Sequence, residues 1–310
     1  MSSRAPRAGQ SPLRLKLAPP FDWAFFLTFH RARALPGVEQ VDGACYRRTV
    51  RCGDYVGRLC IASQDGHALE ITLTPHDDKA LAMIVPRVRR AFDLDADLGP
   101  IRAHLVADPD LRNLLARRPG LRVAGSVDGF EQAVRAILGQ QISVTAARNL
   151  GARLATRWGT PLVNDDGDDS DELRCVFPTP AMLAEADIAS LGMPRKRGQA
   201  VADLAARVAA EPELLEREST LEASIAKLVA LPGLGPWTAH YIAMRVLREP
   251  DAFPASDIGL LRALTDAEGR RPTAKELMAR AEAWRPWRAY AAQHLWAQDA
   301  ALLSPRPLGC

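Results

Sequence analysis

The 310-residue sequence lacks the features of a membrane or secreted protein. No apolar run is long enough to cross a bilayer, and the first ten residues contain no signal-peptide core. No C-x-x-C pair occurs, so the spacing indicates neither a zinc site nor a disulfide framework. The five cysteines are Cys45, Cys52, Cys60, Cys175 and Cys310. These absences predict a cytoplasmic protein with reduced thiols and no membrane partner.

A strong excess of positive charge is also missing. The formal net charge is only +3, so any basic face that binds nucleic acid must be local. Arginine greatly outnumbers lysine, which suits bidentate phosphate recognition but equally fits a GC-rich genome. The apolar fraction of 47% is ample for buried cores, and the length allows one large domain or two to three smaller ones.

The first hundred residues have the patterns of an α+β unit. Alternation and Gly-containing turns predict four strands, and apolar spacing predicts two helices. The strands are expected at 13–17, 44–51, 55–62 and 69–73, and the helices at 22–33 and 79–92. Residues 1–12 are rich in Ser, Pro and Arg and are expected to be a disordered tail.

Beyond Asp97 the sequence shows no convincing strand, and the remainder is predicted to be all-α. Helices are expected at 99–107, 110–117, 128–140, 143–157, 180–187, 195–210, 219–230, 237–248, 257–266, 273–284 and 286–302. The acidic stretch 164–172 lacks the ligand register of a calcium loop and is expected to be a solvated loop that points away from DNA.

One stretch organises the chain: LPGLGPWTA at 231–239. Its glycines permit a tight turn between two helices, and Pro236 is well placed as the first residue of the second helix. Free amides at that helix start would suit a phosphate. A plain helix-turn-helix in a bundle would show the same glycines. Downstream, Pro254 interrupts the chain and Asp257 is predicted to cap the next helix.

The LPGLG hairpin followed by Asp257 resembles the helix-hairpin-helix DNA glycosylase superfamily. The likeness covers about residues 13 to 300 and points to the bacterial DNA-3-methyladenine glycosylase II family. Further motifs that carry it are PPFDW at 19–23, GFEQAVRAILGQQIS at 129–143, FPTP at 177–180, LGMP at 191–194 and WRPWR at 284–288.

The resemblance implies a fold and a domain order. The expected fold class is α+β: an N-terminal mixed antiparallel sheet with helices, like half of a TATA-binding protein, followed by two all-α domains of the helix-hairpin-helix glycosylase fold. The boundaries are expected at 13–98 for the first domain and 99–303 for the helical region. Residues 126–249 would form one helical domain, 99–125 plus 250–303 the other, and 304–310 a tail.

The resemblance also implies three parts that grip DNA and turn a base out of the duplex. The amides of Gly233, Gly235 and Trp237 would hold a phosphate. Gln140 and Gln141 lie in the turn whose side chain fills the gap left by the base, with Gln141 at the aligned position. A glutamine pair that bonds only its own loop is the alternative.

The third part is a pocket. Phe29, Trp237, Tyr241 and Trp296 would line it, although each aromatic taken singly is also what a core contains. Electron-rich rings would stack on the positively charged plane of an N3- or N7-alkylated purine.

Catalysis is assigned to Asp257, whose carboxylate would stabilise the developing sugar cation. The superfamily's hairpin carbonyls, here those of Val229, Leu231 and Leu234, imply a monovalent cation, Na⁺ or K⁺, but no cofactor is required. The superfamily's bifunctional members carry a lysine two residues after the second hairpin glycine, where this chain has Trp237. A late four-cysteine cluster is also missing, so no iron–sulfur centre is expected.

The resemblance therefore predicts a monofunctional glycosylase that hydrolytically releases alkylated bases, such as 3-methyladenine and 7-methylguanine, from double-stranded DNA. It would act as a monomer in a bacterial cytoplasm, at the nucleoid. Two alternatives stay open: a helix-hairpin-helix glycosylase for another damaged or mispaired base, and a non-catalytic DNA-binding protein. The role of Arg195, Lys196 and Arg197, which open a helix, is DNA contact or simple solvation.

Overall fold

The computed structural model describes residues 12–64, 66–162 and 172–303, with side chains to residue 300. The tail predicted at 1–12 lies outside the described residues except for its last position. The tail at 304–310 and nearly all of the acidic stretch at 164–172 lie outside them too.

A five-stranded sheet forms the N-terminal part, in the order β1-β5-β4-β3-β2, and every pairing in it is antiparallel. Four of its strands were predicted. The second strand was missed because its four residues, EQVD, are mostly polar and lack an alternating pattern. The strands are β1 Leu13–Lys16, β2 Glu39–Asp42, β3 Cys45–Cys52, β4 Tyr55–Ala62 and β5 Ala68–Thr74.

Helices α1 (Trp23–Arg33) and α2 (Asp78–Ala91) share one hydrophobic core with this sheet. Phe26, Leu59 and Ile84 are fully buried within it. Asp22 caps α1 by accepting from the Phe25 amide at 2.9 Å. The α+β class is confirmed.

The rest of the described chain is helical. Its α-helices are α3 Leu98–Leu105, α4 Pro109–Arg117, α5 Gly129–Leu138, α6 Val144–Trp158, α7 Pro180–Ala184, α8 Arg195–Ala210, α9 Leu221–Val229, α10 Pro236–Ile242, α11 Ile258–Ala263, α12 Ala274–Ala281 and α13 Arg288–Leu303. Short 3₁₀ turns occupy Ile188–Leu191, Pro212–Leu215 and Glu282–Trp284. None of the described helices is long and apolar enough to cross a membrane.

The expectation of no strand after Asp97 is wrong. Two-residue strands, β6 Thr160–Pro161 and β7 Cys175–Val176, pair antiparallel beyond α6. They were missed because two residues are too few to show alternation. The Thr49 hydroxyl donates to the Cys175 carbonyl at 2.8 Å, so the small ladder is attached to the large sheet.

The helix predicted at 237–248 changes its winding. After α10 the chain continues as one π-helical turn, Ala243–Leu247, and then Arg248 adopts a left-handed conformation with φ 62°. A π turn shifts the positions of the side chains that follow it on the helix surface. Arg245 lies in this turn and is buried.

The helices pack around a second, larger core, in which α5 contacts both α8 and α10. Leu35 and Val38, from the N-terminal part, are also buried in this core. The domain boundaries expected at 98/99, 125/126 and 249/250 stay predictions. The four described cysteines are free thiols.

Candidate functional site

The hairpin connects α9 to α10 through a turn that glycine makes possible. Gly233 has φ 80°, and a Cβ added there would lie 2.5 Å from the Ala200 Cβ, so both its conformation and its surroundings require glycine. Leu231 and Leu234, each 4% exposed, are buried on the two sides of the turn. Gly235 is the N-cap of α10, with Pro236 in its first turn as predicted.

The surface of this turn presents backbone amides. Gly233 and Gly235 are exposed, and a Cβ on Gly235 would meet nothing within 4 Å. Among the described residues, the amides of Gly233 and Gly235 have no hydrogen-bond acceptor. Since the first amides of a helix have no partner within it, the exposed amides of this turn are of the kind that binds anions.

The loop between α5 and α6 is fastened to the hairpin by Gln140. Its Nε2 donates to the Gly233 carbonyl at 3.0 Å and to the Thr238 Oγ1 at 2.9 Å. Arg197 donates to the Gln140 carbonyl at 2.6 Å, so one residue of the basic cluster braces the loop. Gln141, by contrast, is exposed and has φ 57°. Gln140 is thus engaged within the protein, and Gln141 is the exposed member of the pair.

Asp257 caps α11 and at the same time faces the aromatic residues. Its Oδ1 accepts from the amides of Gly259 at 2.9 Å and Leu260 at 3.2 Å. The indole Nε1 of Trp296 donates to Oδ1 at 2.8 Å, and that of Trp237 donates to Oδ2 at 2.9 Å. All four donors are neutral. No arginine or lysine in the described ranges forms an ion pair with this carboxylate.

Three of the four predicted pocket residues, Trp237, Tyr241 and Trp296, lie together beside Asp257, and the fourth, Phe29, is linked to them through Arg245. Trp237 and Tyr241 stack with centroids 5.3 Å apart and planes at 14°, and Tyr241 meets Trp296 at 6.0 Å and 66°. These rings and Phe29 are each partly exposed. A base sandwiched between two parallel rings needs about 7 Å between them. A base would therefore stack on the outside of the Trp237–Tyr241 pair rather than between its members.

Two arginines complete the site, and sequence reasoning missed both. The Arg33 Cζ lies 4.2 Å from the Phe29 ring centroid. The Arg245 Cζ lies 4.9 Å from the centroid of Phe29, 5.4 Å from Tyr241 and 5.0 Å from Trp296. Burial lowers the pKa of Arg33 and lowers that of Arg245 to about 10, so Arg245 remains cationic at neutral pH. Their spacing was the available signal: Trp237, Tyr241 and Arg245 recur every four residues.

Asp251, in the loop before Pro254, stabilises the scaffold through ion pairs. It accepts from the Arg288 Nε at 2.7 Å and is also paired with Arg285. Its ion pairs therefore connect the α10–α11 loop to the start of α13. Asp257, in contrast, lies beside the aromatic rings and accepts hydrogen bonds from indoles and amides.

A glycine hairpin beside a capping aspartate and aromatic rings, on this order of helices, has the architecture of a helix-hairpin-helix DNA glycosylase. Solved structures show the same fold: the 3-methyladenine DNA-glycosylase from Archaeoglobus fulgidus matches with a TM-score of 0.81 at 21% identity, covering 94% of this chain and 100% of that one.

The chain belongs to the HhH-GPD superfamily of base excision DNA repair proteins, whose family model matches residues 134–289. Residues 12–128 match the model of the AlkA N-terminal domain. The chain is similar to DNA-3-methyladenine glycosylase 2 of Escherichia coli, with 38% identity over 290 residues that cover 91% of this chain and 95% of the relative.

A relative in Mycobacterium tuberculosis, a probable bifunctional transcriptional activator/DNA repair enzyme AlkA, is 39% identical over 289 residues. Those residues cover 93% of this chain but 57% of that protein's length. The present chain thus spans little more than half of it.

Proposed function

We propose that this chain is a monofunctional DNA glycosylase that releases alkylated purines, such as 3-methyladenine and 7-methylguanine, from double-stranded DNA. The observation that carries the proposal is the position of Asp257, whose two carboxylate oxygens accept from the indoles of Trp237 and Trp296. A carboxylate held against aromatic rings can stabilise a sugar cation while a flat base stacks beside it.

Asp257 acts on charge that appears during bond cleavage. An N3- or N7-alkylated purine is cationic and leaves readily, so the chemistry needs no strong general acid. As the bond to C1′ lengthens, positive charge grows on the sugar, and the nearby carboxylate stabilises it and directs water to C1′. The hydrogen-bond donors to Asp257 are neutral, and among the described residues no arginine or lysine forms a direct ion pair with its charge.

The hairpin would hold the DNA while the base is turned out. Its accessible amides at Gly233, Gly235 and Trp237 suit one phosphate. Gln141, exposed at the neighbouring loop, would enter the space vacated by the base. Gln140 keeps the two loops at a constant separation through its bonds to Gly233 and Thr238. The hairpin amides and Gln141 would then meet the duplex as one rigid unit.

The hairpin carbonyls fit a monovalent cation, Na⁺ or K⁺, through Val229, Leu231 and Leu234. The Leu231 carbonyl accepts only the Leu234 amide, at 3.2 Å, which leaves a lone pair. The Val229 carbonyl lies at the last residue of α9, where helix carbonyls lack intrahelical donors. When bound, the ion would supply positive charge between these carbonyls and a phosphate.

The proposal includes the setting in which the chain works. We expect it to act as a monomer in a bacterial cytoplasm, at the nucleoid, on DNA that contains alkylated bases. The accessible surface of the hairpin and the loop of Gln141 would form the face that meets the duplex.

Base release from methylated duplex DNA tests the proposal. The free bases are separated and identified, and Asp257→Asn serves as the matched variant, with binding to DNA that contains an abasic-site analogue as the folding control. We expect 3-methyladenine and 7-methylguanine from the parent and neither from the variant, whose DNA binding persists. Failure of the parent to release any base would refute the proposal.

The monofunctional part has its own assay. Bifunctional enzymes form a Schiff base between a lysine and the sugar, and borohydride reduces it to a stable adduct. The corresponding position here is Trp237, which has no amine. We therefore expect no covalent protein–DNA product, and a borohydride-dependent adduct would contradict the monofunctional assignment.

A further inference from the structure

Arg245 is a buried cation placed against three of the four aromatic residues of the site. Its side chain is 3% exposed, and its Cζ lies within 5.4 Å of the ring centroids of Phe29, Tyr241 and Trp296. One contact on each ring is therefore already made by a positive charge of the protein. A cationic base that stacks on the remaining faces of these rings therefore lies close to a positive charge of the protein.

The π-helical turn and two polar groups hold the guanidinium there. Its Nη1 donates to the Ala124 carbonyl at 2.6 Å and to the Gln293 Oε1 at 2.8 Å. Its Nε is buried and has no hydrogen-bond partner. In the described part of the chain no carboxylate forms an ion pair with Arg245, so its charge is solvated by dipoles and ring faces rather than cancelled.

The charges of the site are consequently separated. Asp257 lies on one side of Trp296, bonded to its indole N–H, while Arg245 lies over the ring of the same residue. Arg33, over Phe29, adds a second positive charge that interacts electrostatically with both Arg245 and Asp257. A base that occupies the aromatic site has a carboxylate toward one end and guanidinium groups behind the rings.

We propose that Arg245 is a positioning residue whose positive charge, acting through the rings, favours the movement of the glycosidic electron pair onto the departing base. The inference rests on the proposed function. The C1′–N bond breaks with both electrons staying on the base, and water adds to C1′ and releases a proton to solvent. A cationic base thereby leaves neutral, whereas a neutral base leaves as an anion and takes a proton from water.

This field has opposite effects on binding and on chemistry for a cationic lesion. Before cleavage Arg245 repels the positive base, and that repulsion vanishes as the base becomes neutral, so the barrier falls. For a neutral lesion such as hypoxanthine there is no repulsion to relieve, but the developing anion is stabilised by the same charge. If the guanidinium and the charge on the base are roughly 7 Å apart in an effective dielectric of about 20, the partial transfer of charge to the base lowers the barrier enough for a rate increase on the order of 10-fold.

The test measures single-turnover release of 7-methylguanine and hypoxanthine as a function of enzyme concentration, with rates normalised to the fraction that binds abasic-site DNA. Arg245→Met removes the charge and keeps the apolar stem, Arg245→Gln keeps a donor for the Ala124 carbonyl, and Arg245→Lys keeps the charge. Arg248→Met is the control for loss of a neighbouring arginine. Arg248 donates to the adjacent Val123 carbonyl at 2.9 Å and pairs with Asp93 at 2.7 Å, and no cation–π contact joins it to an aromatic ring of the described residues.

We expect Arg245→Met and Arg245→Gln to lower the maximal release rates of both bases about 10-fold. The enzyme concentration at half-saturation should fall for 7-methylguanine relative to hypoxanthine. Arg245→Lys should retain the rates within about 3-fold, and Arg248→Met should change neither the maximal rates nor the half-saturation concentrations. If Arg245→Met, Arg245→Gln and Arg245→Lys lose activity equally, and the ratio of the half-saturation concentrations for the two bases does not change, Arg245 has only a structural role. If the parent releases neither base, the proposed function has failed, and this role with it.

Discussion

Buried and partly buried charged side chains are neutralised differently in two regions of the molecule. The ion-pair cluster, defined as Glu39, Arg48, Glu131 and Arg135, joins the sheet to α5. Its charges meet directly: Arg48 to Glu131 at 2.5 Å, Arg135 to Glu39 at 2.7 Å and Arg135 to Glu131 at 2.9 Å. At the candidate site, Asp257 accepts from indoles and amides, and Arg245 is held by rings and carbonyl-type oxygens.

The difference separates charges used for structure from charges left for chemistry. In the ion-pair cluster every carboxylate contacts a guanidinium, so the electric field outside the cluster is small. Removal of one charged member should therefore lower the stability of the fold. Neutral donors orient Asp257 without cancelling its charge. An oriented but uncompensated carboxylate can stabilise a cation that forms nearby. The predictions below alter one side of this contrast at a time.

The largest stability effect is expected in the ion-pair cluster. Burial raises the pKa of Glu39, but Arg135 and Arg48 outweigh it and lower that pKa to about 2. Glu39→Gln would leave the buried guanidiniums of Arg135 and Arg48 with one carboxylate instead of two. Urea unfolding should show a loss of about 3–5 kcal/mol, with base release per folded molecule unchanged. A loss below about 1 kcal/mol would mean that the cluster is not structural.

The histidine beside this cluster should make stability depend on pH. Burial lowers the pKa of His30 to about 3, whereas an unfolded histidine titrates near 6.5. Between these values the unfolded chain binds the extra proton, so stability falls as the pH falls from about 6.5 toward 3. His240 and His294, whose pKa values burial lowers to about 4, contribute with the same sign.

His30→Phe keeps a ring against Tyr46 and removes one of these protons. The loss of stability between pH 6.5 and 5 should shrink by about 2 kcal/mol, one proton being worth about 1.4 kcal/mol per pH unit. Urea unfolding at both pH values measures it. An unchanged slope would show that the pKa of His30 is the same in the folded and the unfolded protein.

A smaller change separates orientation from charge at Asp257. Trp296→Phe keeps an aromatic ring but removes the 2.8 Å donor to Oδ1. We expect the single-turnover rate to fall about 10-fold, the equivalent of one hydrogen bond to a charged group. Trp284→Phe is the control, since the Trp284 indole donates to the Asp108 carboxylate at 3.0 Å, outside the site. Equal losses of rate in both variants would argue against a role in orienting Asp257.

The smallest effect should appear at the exposed loop. Gln141 holds φ 57°, a conformation that costs a residue with a side chain more than it costs glycine. Gln141→Gly should leave thermal stability equal or raise it by up to about 1 kcal/mol, while excision from duplex DNA slows and excision from single-stranded DNA does not. Equal slowing on both substrates would exclude a wedge role.

Local patterns explain what the sequence could predict. Glycines mark the hairpin, Pro254 and Asp257 mark the start of α11, and apolar spacing marks helices such as α8, whose bounds of 195–210 are reproduced. The strand β2 and the π turn leave no comparable pattern. The site residues, from Phe29 to Trp296, were expected from the family resemblance, and spacing alone showed only that Trp237 and Tyr241 share a helix face.

Long-range pairings between charged residues could not be predicted. Arg48 and Glu131 are far apart in the chain, and nothing in either neighbourhood indicates that the other will be its partner. For Arg245 the four-residue spacing from Tyr241 was the one local signal, but its neighbours in sequence suggest a core helix. The Ala124 carbonyl and Gln293 that hold it come from distant segments. Only the assembled helices reveal that its charge faces the aromatic rings.

The most direct measurement compares the same chemical change at the two places: Asp257→Asn against Glu39→Gln, with single-turnover release of 7-methylguanine and urea unfolding recorded for both. We expect the Asn variant to lose about 100-fold or more in rate with less than about 2 kcal/mol in stability, and the Gln variant to show the reverse. An Asp257→Asn protein that folds, binds abasic-site DNA and releases 7-methylguanine near the parent rate would contradict the account.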